Sequence, residues 1–188
     1  LFEFLDASET NISFVNTVEE TENFNILTYE YLYNGGGVAV GDINNDGLDD
    51  IYFSGNMVNN KLYLNQGNFK FKDITNTAKV GNQDGYKTGV CMVDINKDGL
   101  LDIYVCRSAN ASADLRKNLL YINNGDLTFT ERASEYGLDD SGYSVQAYFF
   151  DSDNDNDLDA YVLNHPKNLK EANSLKLTRD DKGNLVPA

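Results

Sequence analysis

One acidic segment, set between short apolar runs, occurs three times in this chain, and the repetition limits the fold more than any other feature. The copies run Gly37-Val-Ala-Val-Gly-Asp42-Ile-Asn44-Asn-Asp46-Gly47-Leu-Asp-Asp50-Ile-Tyr52, then Gly89-Val-Cys-Met-Val-Asp94-Ile-Asn96-Lys-Asp98-Gly99-Leu-Leu-Asp102-Ile-Tyr104, then Val145-Gln-Ala-Tyr-Phe-Phe-Asp151-Ser-Asp153-Asn-Asp155-Asn156-Asp-Leu-Asp159-Ala-Tyr161. Their leading aspartates stand 52 and 57 residues apart. A second element follows the first two copies, Leu62-Tyr63-Leu64-Asn65-Gln66-Gly67 and Leu120-Tyr121-Ile122-Asn123-Asn124-Gly125. Its tyrosines are 58 apart, which puts the extra residues of the second unit in the Arg107–Lys117 stretch.

Each unit reads as about four strands: an apolar run, the acidic loop, a second apolar run, then alternating residues around a glycine turn. Units of roughly 40–50 residues with four strands are the pattern of propeller blades. The expected class is all-β, with β-propeller blades of four-stranded antiparallel sheets. Two full repeats and the start of a third cannot close a ring of about four to eight blades. The expectation is therefore a partial propeller, a fragment of a longer chain whose remainder completes the ring. Residues 1–34 form a lead-in with strand-like pieces at Ile12–Val15 and Leu27–Tyr33, able to supply an outer strand to a neighbouring blade. Residues 35–166 carry the blades. Residues 167–188 are a polar segment where the third blade stays incomplete.

Thirty acidic residues against 15 basic ones give a formal charge of −15, which repels phosphate backbones and anionic bilayers, so nucleic acid is excluded as a partner. No apolar run is long enough for a membrane span, so direct insertion by this segment is excluded as well.

Within each loop, oxygen-bearing side chains fall at positions 1, 3, 5 and 9, counting the first aspartate as position 1. Oxygen donors alone select a hard cation, and calcium tolerates six to eight of them in flexible geometry. Position 6 is Gly47, Gly99 or Asn156, residue types that accept positive φ, so the chain can wrap an ion and offer the position-7 carbonyl of Leu48, Leu100 or Asp157. The helix–loop–helix calcium hand fails as an alternative. It requires a glutamate at position 12, where this chain has Phe53, Val105 and Val162. Asx turns held by side-chain-to-backbone hydrogen bonds, without metal, are the plainer reading of the same residues.

Residues 35–165 resemble the FG-GAP/VCBS repeat of integrin-α-type β-propellers, and more closely bacterial surface repeat proteins with an ASPIC/UnbV segment. The resemblance implies that the loop joins the first two strands of a blade and binds Ca2+. It implies up to three sites: Asp42, Asn44, Asp46 and Asp50; Asp94, Asn96, Asp98 and Asp102; and Asp151, Asp153, Asp155 and Asp159. The third departs from the pattern, with Asn156 in place of glycine and an additional Asp157. The implied role is a calcium-stabilised, exported scaffold at a bacterial cell surface that binds protein or glycan, an outer-membrane lipoprotein anchor being one route to that location. The rivals are a propeller platform or accessory module of a polysaccharide-degrading enzyme, and a structural spacer.

Other candidate chemistry is sparse. His165 is the sole histidine and has no Gly-x-Ser-x-Gly elbow to serve, so a hydrogen-bonding role between blades is expected of it. Gly35-Gly36-Gly37 precedes a strand and reads as close backbone packing. Tyr52, Tyr104 and Tyr161 recur in register and read as packing between blades. Cys91 and Cys106 flank the second loop, leaving open a cross-strand disulfide or two buried thiols.

Overall fold

The computed structural model describes residues 2–109, 112–166, 177–179, 182 and 185–187. The first blade is an antiparallel sheet of β1 (Val38–Gly41), β2 (Asp50–Phe53), β3 (Lys61–Asn65) and β4 (Phe71–Asp73), in that order. The second repeats it with β5 (Tyr86–Val93), β6 (Asp102–Ser108), β7 (Leu119–Asn123) and β8 (Phe129–Glu131). Of the third unit, β9 (Ser144–Phe150) and β10 (Asp159–Asn164) pair as a hairpin. The molecule is all-β, built of four-stranded antiparallel blades, and no sheet closes into a barrel. Of the polar tail, residues 167–176 lie outside the described residues, while β11 (Leu177–Arg179) pairs with β12 (Leu185–Pro187).

The blades pack face to face, and period-two alternation decides which neighbour each side chain meets. In β6, Ile103 and Val105 join Ala39, Tyr52 and Leu62 of the first blade in one core. The intervening Tyr104 and Cys106 turn the other way, into a second core with Ala147 of the third unit. All seven residues of β6 are buried, because this strand has a blade on both sides. The outward faces at the two ends lack that cover: Val38 and Val40 on β1, and Tyr161 and Leu163 on β10, are exposed.

The leading strands β1, β5 and β9 lie side by side, and glycine permits the close approach. A Cβ on Gly37 would stand 2.7 Å from Val90 N and 2.9 Å from Thr88 O, both backbone atoms of the next blade. Gly37 N–H donates to that Thr88 carbonyl at 2.7 Å, so close packing accounts for Gly37, and for Gly36 against the Ser54 carbonyl, whereas Gly35 has open space around it and takes a positive φ of 83°. Gly89 occupies the same place as Gly37, against Val145 and Gln146.

The lead-in corrects an expectation. Neither Ile12–Val15 nor Leu27–Tyr33 forms a strand, and the segment holds instead the four-residue α1 (Ala7–Thr10) with a capping box from Asp6 and Glu9. Residues 12–33 attach through side chains: Phe14 stacks on Phe53 at 4.9 Å, and Ser13 N–H donates to the Tyr63 hydroxyl at 3.3 Å. Asn16 and Asn56 exchange amide bonds, and Tyr29 and Leu32 cluster with Tyr86. Its backbone bonds close local turns, such as Tyr29 N–H to the Asn25 carbonyl at 2.9 Å, or meet blade side chains, as the Leu32 carbonyl meets the Tyr86 hydroxyl at 2.6 Å, so the segment lies on the blades without extending a sheet.

Candidate functional site

Each acidic loop links the first two strands of its unit, and the three share one lattice of hydrogen bonds. The position-1 carboxylate accepts from the position-6 N–H, at 2.7 Å for Asp42 and Gly47, 2.9 Å for Asp94 and Gly99, and 3.0 Å for Asp151 and Asn156. The position-5 carboxylate accepts from the position-7 N–H at 2.9 Å in all three, pairing Asp46 with Leu48, Asp98 with Leu100 and Asp155 with Asp157. Positive φ at position 6 (85° at Gly47, 87° at Gly99, 70° at Asn156) turns the chain around these oxygens, as the residue types suggested.

Position 9 has a second duty that the spacing did not disclose. Asp50, fully buried, accepts from Ile43 N–H at 3.0 Å and from Asn65 N–H at 2.7 Å, joining the loop start to β3. Asp102 does the same with Ile95 at 3.1 Å and Asn123 at 2.8 Å. The signal lay in the paired recurrence of this aspartate with Asn65 or Asn123 in the following strand. In the third unit Asp159 accepts from Ser152 N–H at 3.0 Å and is exposed.

Charge is balanced differently in the three loops. Burial raises the Asp50 and Asp102 carboxyls, the N–H bonds oppose that, and the neighbouring position-5 and position-1 carboxylates add to the rise. Desolvation likewise works against ionisation of Asp42, yet the N–H groups of Gly47, Asp46, Asn44 and Asn45 hold it below its ordinary value. In the first two loops the position-3 amide donates across the loop, Asn44 to Asp46 at 3.0 Å and Asn96 to Asp98 at 2.8 Å. The third loop has Asp153 there instead. Ligand-capable oxygens of Asp151, Asp153 and Asp155 lie within 4.8 Å of one another, and Asp151 Oδ1 is buried with no hydrogen-bond partner. The Asp155 contact raises Asp157, while the Lys97 ammonium acts against that rise. An all-oxygen donor set with an orphaned carboxylate oxygen fits a hard dication.

At the opposite end of the strands His165 donates from Nδ1 to the Pro166 carbonyl at 2.9 Å, and its Nε2 faces two hydroxyls. Nε2 lies 3.1 Å from Ser108 Oγ and 3.2 Å from the Tyr29 hydroxyl. Ser108 is fully buried, so this contact fastens the lead-in and the second blade to the third unit and offers no accessible nucleophile. A hollow of about 520 Å³ opens at the same end, lined by Phe24, Tyr86, Met57, Asn56, Gln83 and Asn23. The cysteines are free thiols: Cys91 stands opposite Tyr104 in the register, not opposite Cys106, and burial pushes its thiol up to about 12.

Residues 42–105 match the family described as FG-GAP-like repeat. That stretch carries an FG-GAP-like repeat. The chain is also similar to animal proteins named cartilage acidic protein 1: 31% identical over 134 residues to that of Xenopus tropicalis, covering 70% of this chain and 20% of the relative. The protein of Mus musculus is 31% identical over 142 residues, covering 75% and 21%, and that of Homo sapiens 30% over 145, covering 76% and 21%. The chain thus spans about a fifth of the length of the curated relatives it matches.

Proposed function

We propose that this chain is a calcium-stabilised segment of a β-propeller in an exported protein, and that it serves as a scaffold binding protein or glycan. The observation that carries the calcium reading is the recurrence of one oxygen lattice in three loops, with three carboxylates of the third converging within 4.8 Å. Clustered carboxylates repel one another at neutral pH, and a dication offsets that repulsion. The ion would pin the turn between the first two strands of each blade. Asp42, Asp46, Asp50, Asp94, Asp98, Asp102, Asp151, Asp153, Asp155 and Asp159 would supply carboxylate oxygens, with Asn44, Asn96 and the Leu48, Leu100 and Asp157 carbonyls completing the three sets.

The binding role draws on the uncharged, partly aromatic hollow at the opposite end, of a size and lining suited to a small neutral group. Export draws on the relatives, whose name refers to cartilage. Those relatives are animal proteins, so the bacterial surface location rests on the sequence resemblance alone. No helix among the described residues is long and apolar enough to cross a membrane.

Calorimetry tests the calcium reading directly. Calcium is added to chelator-stripped wild type and to an Asp94→Ala/Asp98→Ala variant, and the variant is expected to lose one site's heat. Equal heats in the two proteins would remove the second site from the proposal. Native-state binding also predicts a lower Tm in chelator than in millimolar calcium.

A further inference from the structure

We infer that ion binding in neighbouring loops is coupled through the side chain at position 4. The inference rests on the calcium reading above. Asn45 holds position 4 of the first loop in the left-handed region, φ 58°, and its Nδ2 donates to the Gly99 carbonyl of the second loop at 2.9 Å. Lys97 holds the same position in the second loop, φ 60°, and its ammonium donates to the Asn156 carbonyl of the third. Both acceptors are position 6 of the receiving loop. An amide and an ammonium make the same forward reach, so the backbone geometry of the turn directs it, whatever donor the side chain carries.

Position 4 lies between two proposed ligands. The turn at Asn45 lets Asp46 N–H approach both Asp42 Oδ1, at 3.1 Å, and Asn44 Oδ1, at 3.3 Å. A cation drawing the oxygens of positions 1, 3 and 5 together fixes that turn and with it the direction of Asn45. On the receiving side, the Gly99 carbonyl belongs to the peptide whose N–H, at Leu100, donates to Asp98 Oδ1 at 2.9 Å. One peptide unit of the second loop is thus held by the first loop at its oxygen and by a proposed ligand at its nitrogen. Ordering either loop reduces the conformational entropy lost on ordering the other, and thermodynamic linkage makes the effect reciprocal.

The test follows the backbone amides of Gly99 and Leu100 by NMR as calcium chloride is added to chelator-stripped chain, in wild type and in Asn45→Gly. Glycine keeps the positive φ and removes only the donor. The calcium midpoint of the second loop is expected to rise about 2–10-fold in the variant, the range for loss of one net hydrogen bond. An unchanged midpoint, with calcium still shifting these amides, overturns the coupling and leaves the calcium reading standing. Absence of a calcium-dependent shift in every wild-type loop overturns both.

Discussion

The hydroxyl of Tyr52 donates to the carbonyl of Val80 at 2.9 Å, binding β2 to the linker that leads into the next blade. Tyr104 repeats the bond with Leu138 at 2.8 Å, one blade further on. Tyr161, in the same register of the third unit, is 58% exposed and has no such bond among the described residues. Removing the Tyr52 hydroxyl leaves a buried carbonyl unpaired, at a cost of about 1–3 kcal/mol. Tyr52→Phe is expected to lower the denaturant midpoint accordingly, and Tyr161→Phe to leave it within about 0.5 kcal/mol. Equal effects would contradict the fastening role.

Asp102 makes a second comparison possible. Its carboxylate accepts from two backbone N–H groups, Ile95 in the loop and Asn123 on β7, and an asparagine can satisfy only one of them. Asp102→Asn, measured by denaturation in chelator so that bound ions contribute nothing, is expected to cost about 1–3 kcal/mol. Asp159→Asn, at the exposed equivalent, should lie within about 0.5 kcal/mol of wild type.

Gly37 sets the spacing between the first two blades. With Val90 N 2.7 Å and Thr88 O 2.9 Å from where a Cβ would sit, neither being the end of a flexible side chain, Gly37→Ala must push two strands apart. The expected loss is about 1–3 kcal/mol, read as a lower Tm in calorimetry. A wild-type Tm would show that the inner strands are looser than their hydrogen bond implies.

Lys87 provides a pH test. It is fully buried opposite Arg107 in the β5–β6 register, and among the described residues its ammonium donates only to the Gly85 carbonyl, at 3.3 Å. Burial first, then the Arg107 charge, pushes its pKa down to about 8. The folded value lies below the unfolded one of about 10.4. Its contribution to stability is therefore fully present above the unfolded value and is lost as pH falls through the folded one. At pH 7 Lys87→Met should raise Tm by about 2–4 °C, the change expected from ~1 kcal/mol in a chain of this size. The advantage should shrink between pH 8 and pH 10, and a constant difference across that range would refute it.

The blades and loops were legible because they repeat. Three copies in register made the strand–loop–strand order visible, and hairpin strands need only alternation and a turn to declare themselves. The lead-in has no second copy. Ile12-Ser13-Phe14-Val15 alternates like a strand, yet Phe14 spends its apolar surface on the ring of Phe53 and the backbone finds no partner edge. Alternation reports which side chains are buried and says nothing of what the main chain bonds to. The same limit hid the partners of Asp50 and Asp102, because a backbone N–H acceptor and a metal ligand call for the same residue. For the cysteines, the register set at the loop, with Val93 opposite Asp102, puts Cys91 opposite Tyr104 and leaves Cys106 two residues further along, an offset that their near-equal distance from the loop concealed.

Three carboxylate-rich loops lie side by side at one end of the strands, and a hollow whose lining carries no charged side chain lies at the other. Salt and divalent ions therefore act on the loop end directly, while the walls around Phe24 and Tyr86 offer them no charge to screen.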